Sequence, residues 1–212
     1  MADCGLMIRN VQQDAYDLFR VIDDNPRARS NDSRVHPSGA LWTSRMGRNA
    51  EVGEGAIYHI AATRTTLLFR GITIPNGICF SPDDAMAYFA DSRANIFLRV
   101  PLDPATGLPI SEPSLLADET ASAGYIDGAI CDADGLTWSA RWGGGSIDVH
   151  TPAGEKVRRY QVPAPQASCP AFVGANANRL LATTAWEDMD QEARPRFPNS
   201  GRTFEIAVSV RG

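Results

Sequence analysis

A chain of 212 residues, 43% hydrophobic and 21% charged, is long enough for one domain with a substantial core, and its composition is globular rather than disordered or collagen-like. The formal charge of −5, with Lys and Arg scattered along the chain, argues against a nucleic-acid surface and in favour of a small-molecule ligand. There is no run of about 18 apolar residues, and Met1-Ala2-Asp3-Cys4-Gly5 lacks a basic segment leading into an apolar one, so neither a membrane span nor a leader is expected, and a cytoplasmic location is.

In chain order, Leu6, Ile8 and Val11, then Tyr16 and Leu18, flank Gln12-Gln13-Asp14 and predict a β-hairpin. A polar connector, Asp23 to Arg29, leads to a strand pair opened by Arg29-Ser30-Asn31-Asp32 and continued by the buried strand Gly39 to Ser44. Arg48 to Glu54 is a polar loop of the kind that carries function, and Gly55–Ile60 and Thr65–Phe69 complete the sheet. A second sheet runs from Ile78, with Asp103-Pro104-Ala105-Thr106-Gly107 as a hairpin turn and Ser114–Ala117 as a short outer strand.

A third sheet spans Ala129 to Val162 and turns at Gly143-Gly144-Gly145 and at Thr151 to Lys156. The triple glycine has no Lys-Ser/Thr after it and no helical pattern, so it reads as a turn rather than a phosphate cradle. A fourth begins near Pro170, includes Leu180–Ala185 and closes with Thr203–Val208, with Trp186 to Arg194 as a loop or single helical turn. Cys4, Cys79, Cys131 and Cys169 show no CxxC spacing, and Cys79 and Cys131 read as buried strand thiols.

These sheets share a repeat. A strand, a Pro/Asp/Gly-type turn and a second strand recur around Pro37-Ser38-Gly39, Pro82-Asp83-Asp84, Ala133-Asp134-Gly135 and Ala175-Asn176, at intervals of about 40–50 residues. Short strands at this period predict an all-β fold of propeller blades.

Within the repeat, Asn76-Gly77 follows Pro75, and Asp127-Gly128 stands at the same place one repeat later. Pro75-Asn76-Gly77 reads as a loop before a strand, with Gly77 free to take positive φ. Each Asx-Gly pair alone is an ordinary turn. Equivalent positions at the inner ends of blades converge on a central channel, however, so an amide and a carboxylate oxygen far apart in sequence can meet on one hard cation.

Arg29-Ser30-Asn31-Asp32-Ser33-Arg34-Val35-His36-Pro37-Ser38-Gly39, Ile74-Pro75-Asn76-Gly77, Tyr125-Ile126-Asp127-Gly128 through Gly135, and Ser168-Cys169-Pro170-Ala171-Phe172 together resemble the SMP-30/gluconolactonase/regucalcin family. Those proteins are six-bladed β-propeller lactonases with one divalent metal in the channel. The resemblance implies Asn76 and Asp127 as metal ligands, with Asp127 also as general base, and one ion, Ca²⁺, Zn²⁺, Mn²⁺ or Mg²⁺. It also implies Arg29 and Asn31 as contacts to a sugar lactone. For a further substrate carboxylate, ungapped counting reaches Asn49 and the nearest acid is Glu51.

The resemblance covers residues 1–212 as one domain that is short at its amino end, an incomplete propeller of about four to five blades in which the family's third ligand, a glutamate, matches no residue. His36 and Ser33 stand where the family has Asp and Gly. The expected activity is metal-dependent opening of sugar lactones, and an oligomer covering the open blade edge is a compatible assembly. The rival readings are a metal- or sugar-binding propeller fragment without catalysis and an interaction propeller.

Overall fold

The four repeated turns organise the structure, a computed structural model that describes residues 5–187 and 189–212. Each turn joins the first two strands of a separate antiparallel sheet. The reading of Cys4 and of Asp188 in the Trp186–Arg194 loop falls outside the described residues.

The chain divides into two compact units, Met1–Pro75 and Asn76–Gly212. In the first, β1 (Gly5–Asn10) and β2 (Ala15–Val21) form the expected hairpin, with Asn10 opposite Ala15. Ile8, Tyr16, Leu18, Phe19 and Val21 of this hairpin are exposed. A four-stranded sheet follows in the order β3 (Ala28–Val35), β4 (Leu41–Gly47), β5 (Gly55–Ile60), β6 (Thr65–Ile72). Its centre is Trp42, fully buried on β4, whose ring lies 6.0 Å from that of Phe69.

The second sheet has β7 (Pro75–Phe80), β8 (Met86–Asp91), β9 (Ile96–Asp103) and β10 (Leu108–Pro109) in sequence order, and β11 (Ser114–Asp118) also pairs with β9. The third runs β12 (Tyr125–Cys131), β13 (Thr137–Trp142), β14 (Ser146–His150), β15 (Lys156–Gln161). The fourth contains β16 (Ala167–Val173), β17 (Arg179–Thr184) and, after a helical turn α1 (Ala193–Arg196), β18 (Thr203–Ile206).

Alternation of residue type builds the core of this second unit. Trp138 and Ala140 of β13 and Ile147 and Val149 of β14 face Ala167, Leu180, Ala182 and Ile206. Ile126 and Ala129 of β12 pack with Cys79, Tyr88, Ala90 and Phe97 of the preceding sheet. The fold is an all-β propeller with four sheets of blade type beside the β1–β2 hairpin. No helix among the described residues is long and apolar enough to cross a membrane.

Two local readings are corrected. Pro75-Asn76-Gly77 is not a loop ahead of the strand: β7 begins at Pro75, and Gly77 takes its positive φ of 60° inside the strand. The third sheet begins at Tyr125 rather than at Ala129, which puts Asp127 within β12. Proline at the first position of a strand leaves the rest of the ladder intact, which is why the prolyl residue does not break it.

The structure also explains His36. At the third sheet's turn, Asp132 Oδ1 accepts the Asp134 N–H at 3.0 Å. At the first, His36 Nδ1 accepts the Ser38 N–H, also two residues on, at 3.1 Å. A ring nitrogen thus supplies the acceptor that a carboxylate supplies elsewhere.

Candidate functional site

Apart from Glu51, the candidate residues lie on the first strands of their sheets, and in three sheets that strand breaks its ladder. The register of β3 shifts between Ser30 and Ser33, bracketing Asn31. That of β12 shifts between Ile126 and Ala129, bracketing Asp127-Gly128, and that of β16 between Ala167 and Cys169, bracketing Ser168. A bulge releases a residue from the alternation and re-aims its side chain, so the same device presents Asn31, Asp127 and Ser168.

In the second unit, Asn76 and Asp127 come together. Asn76 Nδ2 donates to Asp127 Oδ1 at 2.5 Å, and Asn76 Oδ1 accepts the Gly77 N–H at 3.1 Å. Asn76 is 8% exposed and Asp127 is half-buried, so the pair sits in a partly desolvated setting in which a charge-assisted hydrogen bond is strong. Both following glycines are required by close approach. A Cβ on Gly77 would stand 3.0 Å from the Asp127 carbonyl oxygen, and one on Gly128 would stand 2.8 Å from both the Ser168 carbonyl oxygen and Cys169 Sγ.

Donor chemistry decides whether the pair suits a metal. An amide oxygen and a carboxylate are hard donors fitted to Ca²⁺, Mg²⁺ or Mn²⁺ and tolerated by Zn²⁺. To hold an ion together with Asp127, Asn76 would have to present Oδ1, which here accepts the Gly77 N–H, in place of Nδ2. The residues fit as two ligands of such an ion. Among the described residues, no group of three or more His, Cys, Asp or Glu side chains is gathered for a metal.

In the first unit, Arg29 and Asn31 interact directly. Arg29 Nη1 donates to Asn31 Oδ1 at 3.2 Å and to the Ser30 carbonyl at 3.1 Å. Asn31 Nδ2 donates to the Pro75 carbonyl at 3.0 Å. The Ser44 hydroxyl fills the bulge: it accepts the Asp32 N–H at 2.9 Å and reaches the same Pro75 carbonyl at 3.1 Å. Donor-rich heads are thereby fixed in orientation, which suits a ligand bearing several hydroxyls.

Glu51 lies in the exposed loop between β4 and β5, and its carboxylate accepts the Asn49 N–H and side-chain amide, each at 3.0 Å. Its own backbone N–H, then the Asn49 amide, hold its pKa below the ordinary carboxylate value. The two residues between which counting along the sequence divides are therefore hydrogen-bonded to one another. Trp142 is half-buried at the end of β13, and Trp186 is exposed, with the Arg194 guanidinium 5.2 Å from its ring centre.

Sequence reasoning passed over two buried arginines, Arg45 and Arg141. Both stand three residues after a buried tryptophan, in Trp42-Thr43-Ser44-Arg45 and Trp138-Ser139-Ala140-Arg141, and that internal repeat is the signal that would have found them.

Residues 3–186 match the sequence pattern of the SMP-30/Gluconolactonase/LRE-like region. The chain is 54% identical over 211 residues to a Rhizobium meliloti protein whose name places it among sugar lactone lactonases, and spans 72% of that protein's length. It is 31% identical over 186 residues to the 6-deoxy-6-sulfogluconolactonase of Pseudomonas putida, covering 87% of this chain and 64% of that protein. The structure of a calcium-binding protein, regucalcin, from Agrobacterium tumefaciens superposes with a TM-score of 0.95 at 47% identity, over 99% of this chain and 72% of that one. Over most of its length, then, this chain belongs to the SMP-30/gluconolactonase/LRE-like family.

Proposed function

We propose that this chain is a metal-dependent lactonase that opens sugar lactones, with Asn76 and Asp127 holding one divalent cation, Ca²⁺, Zn²⁺, Mn²⁺ or Mg²⁺. The observation that carries the reading is the Asn76–Asp127 contact at 2.5 Å, made by oxygen-bearing side chains from two sheets of a family that includes named lactonases. A bound cation supplies Lewis-acid polarisation of the lactone carbonyl.

The chain's own groups do the rest. Asp127 accepts a proton from the attacking water at a carboxylate oxygen, a form of general-base help typically worth about 10²–10⁴-fold in rate. Water oxygen bonds to the carbonyl carbon, the ring C–O bond breaks, and the ring oxygen leaves as a hydroxyl that takes the proton from Asp127, giving a hydroxy acid. Within the first unit, Arg29 and Asn31 are suited to hydrogen-bonding sugar hydroxyls and Glu51 to accepting from a further one; the mutual hydrogen bond of Arg29 and Asn31 supports a preset orientation.

The test is acid release from glucono-1,5-lactone by the purified chain with each divalent ion or with EDTA, beside Asp127→Ala. The expected result is hydrolysis that needs the ion and is abolished by the substitution. Acid release at the spontaneous rate by a folded chain under every condition would overturn the reading and leave a binding propeller.

A further inference from the structure

Arg45 and Arg141 occupy the same place in two sheets and do the same thing. Arg45, 2% exposed on β4, donates from Nη2 to the Asn25 and Ala28 carbonyls at 3.0 Å each and from Nη1 to the Asp23 carbonyl at 3.2 Å, with the Asp23 carboxylate as its ion-pair partner. Arg141, fully buried on β13, donates from Nη2 to the Gly124 carbonyl at 2.8 Å and, at 3.4 Å, to that of Ala123. Its charge is answered by Asp148 at 3.8 Å and Glu119 at 3.9 Å.

In both sheets the gripped carbonyl, Ala28 or Gly124, precedes by three residues the side chain that the bulge presents, Asn31 or Asp127. The connector into β12 has further fasteners. Asn95 Nδ2 donates to the Glu119 and Gly124 carbonyls at 2.6 and 3.1 Å, Asn95 Oδ1 accepts the Ile126 N–H at 3.1 Å, and Ser92 Oγ donates to the Ile126 carbonyl at 2.5 Å. A planar fork with five donors can hold several carbonyls of one connector at fixed separations, which a single ammonium cannot. Burying that fork is costly, and the carboxylates beside it offset the cost.

We propose that Arg141 and Arg45 are positioning residues that set where the bulges of β12 and β3 carry Asp127 and Asn31. The inference rests on the reading of those two side chains as site residues. A merely structural arginine would stabilise the sheet without fixing the Asn76–Asp127 contact, and this difference is measurable.

The experiment follows the side-chain amide signal of Asn76 by ¹⁵N NMR, assigned with Asn76→Ala, in the full chain and in Arg141→Lys. Because that amide donates to Asp127, the expected result is a shifted or broadened signal in the variant, with Mn²⁺ affinity reduced about tenfold or more. Val149→Ala, a buried position on the opposite face of β14, is expected to lower thermal stability and leave the signal in place. An Asn76 signal unchanged in Arg141→Lys, or moved equally by Val149→Ala, would overturn the proposal.

Should Arg141→Lys fail to fold, Arg45→Lys decides in the same way through the Asn31 side-chain amide, which donates to the Pro75 carbonyl. A wild-type chain that binds no Mn²⁺ would count against the lactonase reading alone, since the amide signals still decide the positioning role.

Discussion

Gly128→Ala tests how far the candidate site depends on the approach of β12 to β16. Gly128 does not use the left-handed region, so an alanine meets no backbone strain there and the whole effect is steric. The added Cβ would lie 2.8 Å from Cys169 Sγ, 2.8 Å from the Ser168 carbonyl oxygen and 2.9 Å from Cys169 Cβ. Ordinary contact requires the two strands to separate by roughly 0.5–1 Å. Overpacking of this kind costs about 1–3 kcal/mol, which in a chain of this size lowers Tm by about 3–10 °C.

Gly128 shares the bulge with Asp127, so the displacement passes directly to the carboxylate that meets Asn76 at 2.5 Å. A misplacement near 1 Å costs about 10²-fold in rate. Thermal melts and initial rates of glucono-1,5-lactone opening at a temperature where the melts show both chains folded separate the two effects. A variant with lowered Tm and activity within about twofold of wild type would refute the dependence of Asp127 on this approach, and an unchanged Tm would refute the close contact itself.

Two further outcomes follow from the second unit's polar interior. Glu119, 4% exposed, accepts from His150 Nε2 at 2.8 Å and Lys156 Nζ at 2.7 Å; burial pushes its pKa up, but these hydrogen bonds, with that of Ser122, outweigh it and hold the carboxyl far below 4.5. Its contribution is therefore present above the unfolded value and lost as pH falls through the lower folded one: Glu119→Gln should cost about 3 kcal/mol at pH 7, with the gap to wild type in denaturant melts narrowing only below pH 4.5. An equal gap at pH 7 and at the acid limit would contradict the ion pairing. Trp138→Phe removes the 2.8 Å donation to Asp132 Oδ2 at a buried turn and should cost about 1–3 kcal/mol by the same melts, whereas no loss would mean that the hydrogen bond carries no net stability.

The repeat of turns was legible because Pro, Asp, Gly and Asn at a strand junction answer to local backbone chemistry, and each of the four turns falls between the first two strands of its sheet. The Asn76–Asp127 meeting was legible through residue type and repeat position together. The start of β7 at Pro75 was not, since Pro-Asn-Gly has turn propensity and only the neighbouring strand makes it a ladder. Arg45 and Arg141 escaped for a related reason. An arginine in a strand reads as solvent-facing, and its burial becomes visible only when the carbonyls of its connector and the acids beside it are in place. The Asn49–Glu51 pairing depends on a loop conformation that residue spacing does not encode.

The claim that Asn76 and Asp127 together hold a divalent ion is tested most directly by Mn²⁺ titration followed by electron paramagnetic resonance, in wild type, Asn76→Ala and Asp127→Ala. The account predicts one Mn²⁺ per chain in wild type and affinity at least about tenfold weaker in each variant, with melts showing all three folded. A wild-type chain that leaves Mn²⁺ in solution, or three chains with the same affinity, would contradict it.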